Sequence, residues 1–91
     1  MSGIVAIIVK IMPSSPETNL EEIKDKCSKL MESEGAKNIS FEEEKIAFGL
    51  KAIMMKMAWM EEKSSEIIES SLEKIENVSS VQIVDYRRAF G

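Results

Sequence analysis

An α+β sandwich of order β-α-β-β-α-β is the fold the sequence predicts, with two helices on one face of a four-stranded antiparallel sheet. Three observations point to it. Four segments are β-branched or alternate with a period of two, two others repeat apolar residues at helical spacing, and the two kinds interleave within 91 residues. Right-handed crossovers then place both helices on the same face and leave the other face uncovered.

The first segment, Ile4 to Met12, is short, β-branched and closed by Pro13. Val5, Ile7, Val9 and Ile11 make one side of it continuously apolar, as a central strand requires. Pro13-Ser14-Ser15-Pro16 is the turn out. Asn19 is the expected N-cap of the first helix, with Glu22 placed for a capping box. Leu20, Ile23, Cys27, Leu30 and Met31 form its apolar stripe, while Lys24, Lys26 and Lys29 mark the wet side. Gly35 closes the helix in a left-handed conformation.

Ile39 and Phe41 alternate with Ser40 and Glu42 in a second, more exposed strand. The third, Lys51 to Trp59, points Ile53, Met55, Met57 and Trp59 one way and Ala52, Met54, Lys56 and Ala58 the other. Ser64 or Ser65 caps a second helix with the stripe Ile68, Leu72 and Ile75. Val78 to Tyr86 is the last strand, with Val81 and Ile83 on one side and Gln82, Val84 and Tyr86 on the other.

The length predicts a single domain over residues 1–91. At 44% hydrophobic and 31% charged residues, the chain belongs to the ordinary globular class. A net charge of −4 argues against a dedicated nucleic-acid binder, which needs a basic face to neutralise phosphates. Cys27 is the sole cysteine, so no intramolecular disulfide and no cysteine metal cluster can form. The sequence has no histidine, which removes the commonest general base and metal ligand. Ile4 to Val9 lacks a basic region before it and is interrupted by Lys10, so it reads as a buried strand of a cytoplasmic protein and not as a signal peptide.

The candidate functional residues are few. In Ile46-Ala47-Phe48-Gly49-Leu50, a bulky aromatic stands beside a residue without a Cβ at the mouth of a strand. Phe48 either folds over the core or anchors an interface, where aromatics are enriched among binding hot spots. Strand parity sends Phe48 to the uncovered face. Arg87-Arg88 either ends the chain as a solvated pair or, carried on a short untethered tail, inserts into an acidic or metal-bearing pocket. Glu42-Glu43-Glu44 alternate in direction along a strand and do not converge on one cation, so they read as a solvated edge. The methionines of the third strand read as core filler.

Several functions of this architecture fail on residues. An RNA-recognition sheet needs basic and aromatic residues on its central strands, whereas the uncovered side of the third strand is mostly Leu, Ala and Met. The first turn lacks the cysteine pair of a heavy-metal carrier. No nucleophile has a partner base and no glycine-rich loop is present to hold a phosphate, so neither an enzyme nor a cofactor is expected. A small-molecule-binding regulatory module remains as the alternative to a protein-docking role.

Lys10-Ile11-Met12-Pro13, Ser15-Pro16-Glu17, the acidic run before Ala47-Phe48-Gly49-Leu50 and the closing Asp85-Tyr86-Arg87-Arg88 are fairly specific in combination. With them the chain resembles, end to end, the archaeal elongation factor 1-beta family of guanine-nucleotide exchange factors for elongation factor 1-alpha. The resemblance implies a ferredoxin-like fold, docking on the GDP-bound partner, disturbance of its magnesium and phosphate site, and no covalent chemistry. It implies partner-binding roles for Phe48, Gly49, Arg87 and Arg88. In the eukaryotic members an aromatic in a Gly-Phe-Gly context packs on the partner and a C-terminal lysine intrudes at the magnesium position. Phe48 matches the aromatic, and the lysine position falls on or next to Arg88. The chain departs from that pattern in having arginine there, followed by Ala89-Phe90-Gly91. The eukaryotic N-terminal extension has no counterpart in the sequence, and a free, monomeric exchange domain is expected.

Overall fold

The computed structural model describes residues 3–88; the tail noted above, Ala89-Phe90-Gly91, lies outside them. Its elements follow the expected order: β1 (Ile4–Pro13), α1 (Leu20–Ser33), β2 (Lys37–Lys45), β3 (Lys51–Met60), α2 (Glu66–Leu72) and β4 (Val78–Arg88). The strands form one sheet ordered β2-β3-β1-β4, every neighbouring pair antiparallel. This is the ferredoxin-like α+β fold.

Burial follows the period-two pattern of the strands. Val5, Ile7, Val9 and Ile11 of β1 pack with Ile53, Met55, Met57 and Trp59 of β3 under the helices, where Ile23, Cys27 and Met31 of α1 and Ile68 and Leu72 of α2 meet them. Every fully buried residue among those described is apolar, so the core carries no uncompensated desolvation of polar groups. Trp59 keeps its indole N–H satisfied by donating to the Lys63 carbonyl at 3.2 Å.

The helix ends are set by local chemistry. Asn19 Oδ1 accepts from the Glu21 and Glu22 amides at 3.0 and 3.3 Å, the N-cap half of the expected box. At the other end Ala36 N–H donates to Met31 O and Gly35 N–H to Glu32 O, with Gly35 at φ 96°. That is a Schellman closure, which a Cβ at residue 35 would strain. At the start of the shorter α2 the N-cap Ser65 makes no capping bond with its side chain, and Ser64 Oγ accepts from Glu66 N–H at 3.2 Å instead.

Three expectations change. Arg87 and Arg88 are not on an untethered tail: β4 runs to Arg88, with Arg87 paired opposite Ala6 and Arg88 opposite Val5. Tyr86 does not share a side with Gln82, because a bulge at Val84 shifts the register so that Ile8 faces Asp85 while Val9 faces Ile83. Beyond the bulge, Tyr86 lies opposite Ile7 on the helix side and Arg87 lies on the uncovered side. Lys24 is not simply solvated. It bridges Glu21 at 2.9 Å and Glu43 at 2.8 Å, tying α1 to the edge strand β2.

Candidate functional site

The β2–β3 hairpin closes on Ala47-Phe48-Gly49-Leu50. Ile46 N–H donates to Leu50 O and Leu50 N–H to Ala47 O, each at 2.9 Å. Phe48 has φ 55° and Gly49 φ 80°, and positive φ at both central residues is the type I′ class, whose twist matches the flanking strands. Asn, Asp or Gly normally occupies the first of these positions; a bulky side chain there costs about 1–3 kcal/mol. Phe48 is also 96% exposed. An aromatic held in a strained conformation and almost wholly in water stabilises nothing in the free protein. The reading in which Phe48 folds over the core is overturned. Its exposure comes from the turn and not from strand parity, because β3 begins only at Lys51. Ile46, also exposed, adds apolar surface beside it.

Arg87 and Arg88 lie at the other end of the sheet. The hairpin caps the end where Lys45 pairs with Lys51, whereas Arg88 pairs with Val5 beside the Ile4–Met60 rung. The ten residues of β3 between those ends span roughly 30 Å. The structure therefore does not bring the ring and the guanidinium pair together. Arg87 Nε lies 3.1 Å from Asp85 on its own strand. Arg88 Nε lies 2.7 Å from Glu61, just past the end of β3, yet the Arg88 side chain remains 67% exposed. Both cations are accessible and each is oriented by a carboxylate.

The acidic run resolves into cross-strand pairs. Glu42 faces Lys56 and Glu44 faces Lys10, each at 3.8 Å, on the uncovered side of the sheet. Glu43 points to the helix side and meets Lys24 at 2.8 Å and Lys51 at 3.8 Å. The hydrogen bond from Lys24, then its charge, holds the Glu43 carboxyl below the usual carboxylate range. Donating to Glu43, and next to Glu21, raises the Lys24 ammonium above its usual value. No group of acidic, cysteine or histidine side chains among the described residues is arranged to hold a metal ion. Burial pushes the Cys27 thiol up to about 12, far from a reactive thiolate.

A shallow depression on the uncovered face is lined by Ala6, Ile8, Lys56, Ala58 and Asp85 among others. It exists because the paired alanines Ala6 and Ala58 leave the sheet low between longer neighbours. No described helix is long and apolar enough to cross a membrane.

Sequence reasoning missed Glu61, the partner of Arg88. Nothing in its local sequence distinguishes it; only the pairing of β1 with both β3 and β4 brings it to Arg88. It also missed that Ala47-Phe48-Gly49-Leu50 is a hairpin turn. The five residues between Lys45 and Lys51, a glycine among them, were the available signal.

Similarity to known proteins agrees with this geometry. The family described as EF-1 guanine nucleotide exchange domain matches residues 6–89. Elongation factor 1-beta of Methanothermobacter thermautotrophicus is 38% identical over 87 residues, covering 94% of this chain and 97% of that protein. The protein of the same name from Methanosarcina barkeri is 37% identical over 87 residues, covering 94% and 98%. That from Methanococcus maripaludis is 38% identical over 79 residues, covering 85% and 88%. With nearly the whole chain matched, the chain belongs to the EF-1 guanine nucleotide exchange domain family.

Proposed function

We propose that the protein promotes exchange of GDP for GTP on elongation factor 1-alpha during translation elongation, acting as an exchange factor with no covalent chemistry of its own. The observation that carries this reading is Phe48, 96% exposed at the tip of a strained turn in a chain of the exchange-domain family. Phe48 and Gly49 dock on the partner, the ring supplying apolar area and the glycine close backbone approach.

Arg87 and Arg88 act at the nucleotide end. A guanidinium brought toward the partner's bound magnesium and phosphates repels the metal and replaces part of its charge, and in a pocket shielded from water such effects reach several kcal/mol. Both are available for this: the Arg87 side chain is 79% exposed beside Asp85 and the Arg88 side chain 67% exposed beside Glu61. The separation of roughly 30 Å between turn and arginines means that the partner is gripped at two distant places. Docking and displacement are thus separate tasks. The factor accelerates release only if it binds the nucleotide-free partner better than the GDP form.

The test is direct. Elongation factor 1-alpha from the same organism, loaded with fluorescent GDP, is mixed with increasing amounts of the protein in the presence of excess GTP. Release is expected to accelerate and saturate. An unchanged dissociation rate at high protein concentration would reject the proposal.

A further inference from the structure

The carboxylate beside Arg88 belongs to a turn that is fixed at both ends. Glu61 N–H donates to Gly3 O at 2.9 Å, one step beyond the Ile4–Met60 rung, and Lys63 N–H donates to Met60 O at 3.0 Å, closing the turn over residues 60–63. Lys63 in its turn lies 3.0 Å from the Glu34 carboxylate at the end of α1 and sits over the Trp59 ring. The Glu61 side chain is only 28% exposed.

Arg88 stands on the other flank of β1, paired with Val5. Its Nε lies 2.7 Å from Glu61 Oε2, so the ion pair spans β1 and joins the strands on either side of it. The contact is made at Nε, next to the aliphatic stem, and the Arg88 side chain is still 67% exposed. Glu61 therefore orients the guanidinium without enclosing it. Arg87 has no such cross-strand hold among the described residues: its Nε meets Asp85, two residues back on the same strand, at 3.1 Å. A long side chain whose rotamer is already restricted loses less conformational entropy on entering a partner's site than one that turns freely.

We infer that Glu61 is a positioning residue for exchange: it selects Arg88 of the two arginines and holds its guanidinium in the direction from which it enters the partner's nucleotide site. The inference rests on the exchange function proposed above, so its test includes one readout made without the partner. In the free protein, Glu61→Ala should speed exchange of the Arg88 Nε proton with water, followed by NMR, and leave that of Arg87 unchanged. In the GDP-release assay it should lower the maximal rate roughly three- to fivefold and leave the half-maximal concentration as it is.

Glu61→Gln, whose side-chain oxygen still accepts from Nε–H, should restore most of that rate. Added to Arg88→Ala, Glu61→Ala should cost nothing further, whereas added to Arg87→Ala it should keep its full effect. An unchanged maximal rate in Glu61→Ala overturns the inference, and so does a higher one, because Glu61 would then restrain Arg88. A Glu61→Gln variant as slow as Glu61→Ala also overturns it, since the carboxylate charge itself would be acting. If the wild-type protein fails to stimulate release, the exchange reading falls; unchanged Arg88 Nε exchange in Glu61→Ala, with wild-type release intact, overturns the hold alone.

Discussion

At the scale of single residues, Phe48 sets local stability against function. Its φ of 55° suits Asn or Gly, and its ring is in water. Phe48→Asn should therefore raise stability by about 1 kcal/mol, or a Tm increase of roughly 4–8 °C in a domain of this size. The same change should weaken stimulation of GDP release. A thermal melt alongside the release assay checks both, and a fall in Tm would contradict the strain. Cys27 is the opposite case, a residue with chemistry in principle and none in place. With its thiol pushed up to about 12, it should resist alkylation at pH 8 in the native protein and react only when urea unfolds the chain. The exposure of Phe48 was half legible in the sequence: the Phe-Gly pair left an exposed aromatic as one of two readings, whereas the turn geometry that exposes it depends on the register of Lys45 with Lys51.

Between elements, two ionic contacts fasten pieces that the backbone does not join. Lys63, in the β3–α2 connection, donates to the backbone carbonyl of Glu34, lies 3.0 Å from the Glu34 carboxylate and sits 5.2 Å over the Trp59 ring. Glu34 is the C-cap of α1, whose last turn has no basic residue of its own. Lys63 thus supplies the positive charge that the helix dipole favours there. Lys63→Met should cost about 1–2 kcal/mol of stability, measurable by urea denaturation. The Lys24–Glu43 contact responds to pH. Because the Glu43 carboxyl is held below its ordinary value, its contribution is complete above the usual carboxylate range and disappears as pH falls through the depressed folded value. Glu43→Gln should lower Tm at neutral pH, and its difference from wild type should shrink below about pH 4. The elements themselves were legible from periodicity and caps. The bulge at Val84 was not, because nothing in Val81-Gln82-Ile83-Val84-Asp85-Tyr86 marks an extra residue; pairing with β1 creates it. Its effect reaches the site, since it determines which side of the sheet each terminal arginine occupies.

For the molecule as a whole, the proposed function assigns separate tasks to the widely spaced aromatic and arginines. Arg88→Ala should lower the maximal rate of GDP release about tenfold or more, the equivalent of ~1.4 kcal/mol, with little change in the concentration needed. Phe48→Ala should raise that concentration roughly thirtyfold, as for a hot spot of about 2 kcal/mol, and leave the maximal rate near wild type. Equal shifts in both parameters for both variants would show that the two ends do not act separately. The sequence singled out both ends as candidates. It carried no information on their distance, which follows from the strand order β2-β3-β1-β4 and from β4 continuing to Arg88.

The paired strands between those ends work as a measuring rod. Adding two residues to each arm of the β2–β3 hairpin would preserve inward and outward alternation while carrying the phenyl ring about 7 Å further from the guanidinium. Neither contact would lose an atom, yet both could no longer be made at once unless the partner's own domains moved apart to match. Under the proposed two-ended grip, the number of rungs in this sheet is thereby part of the recognition.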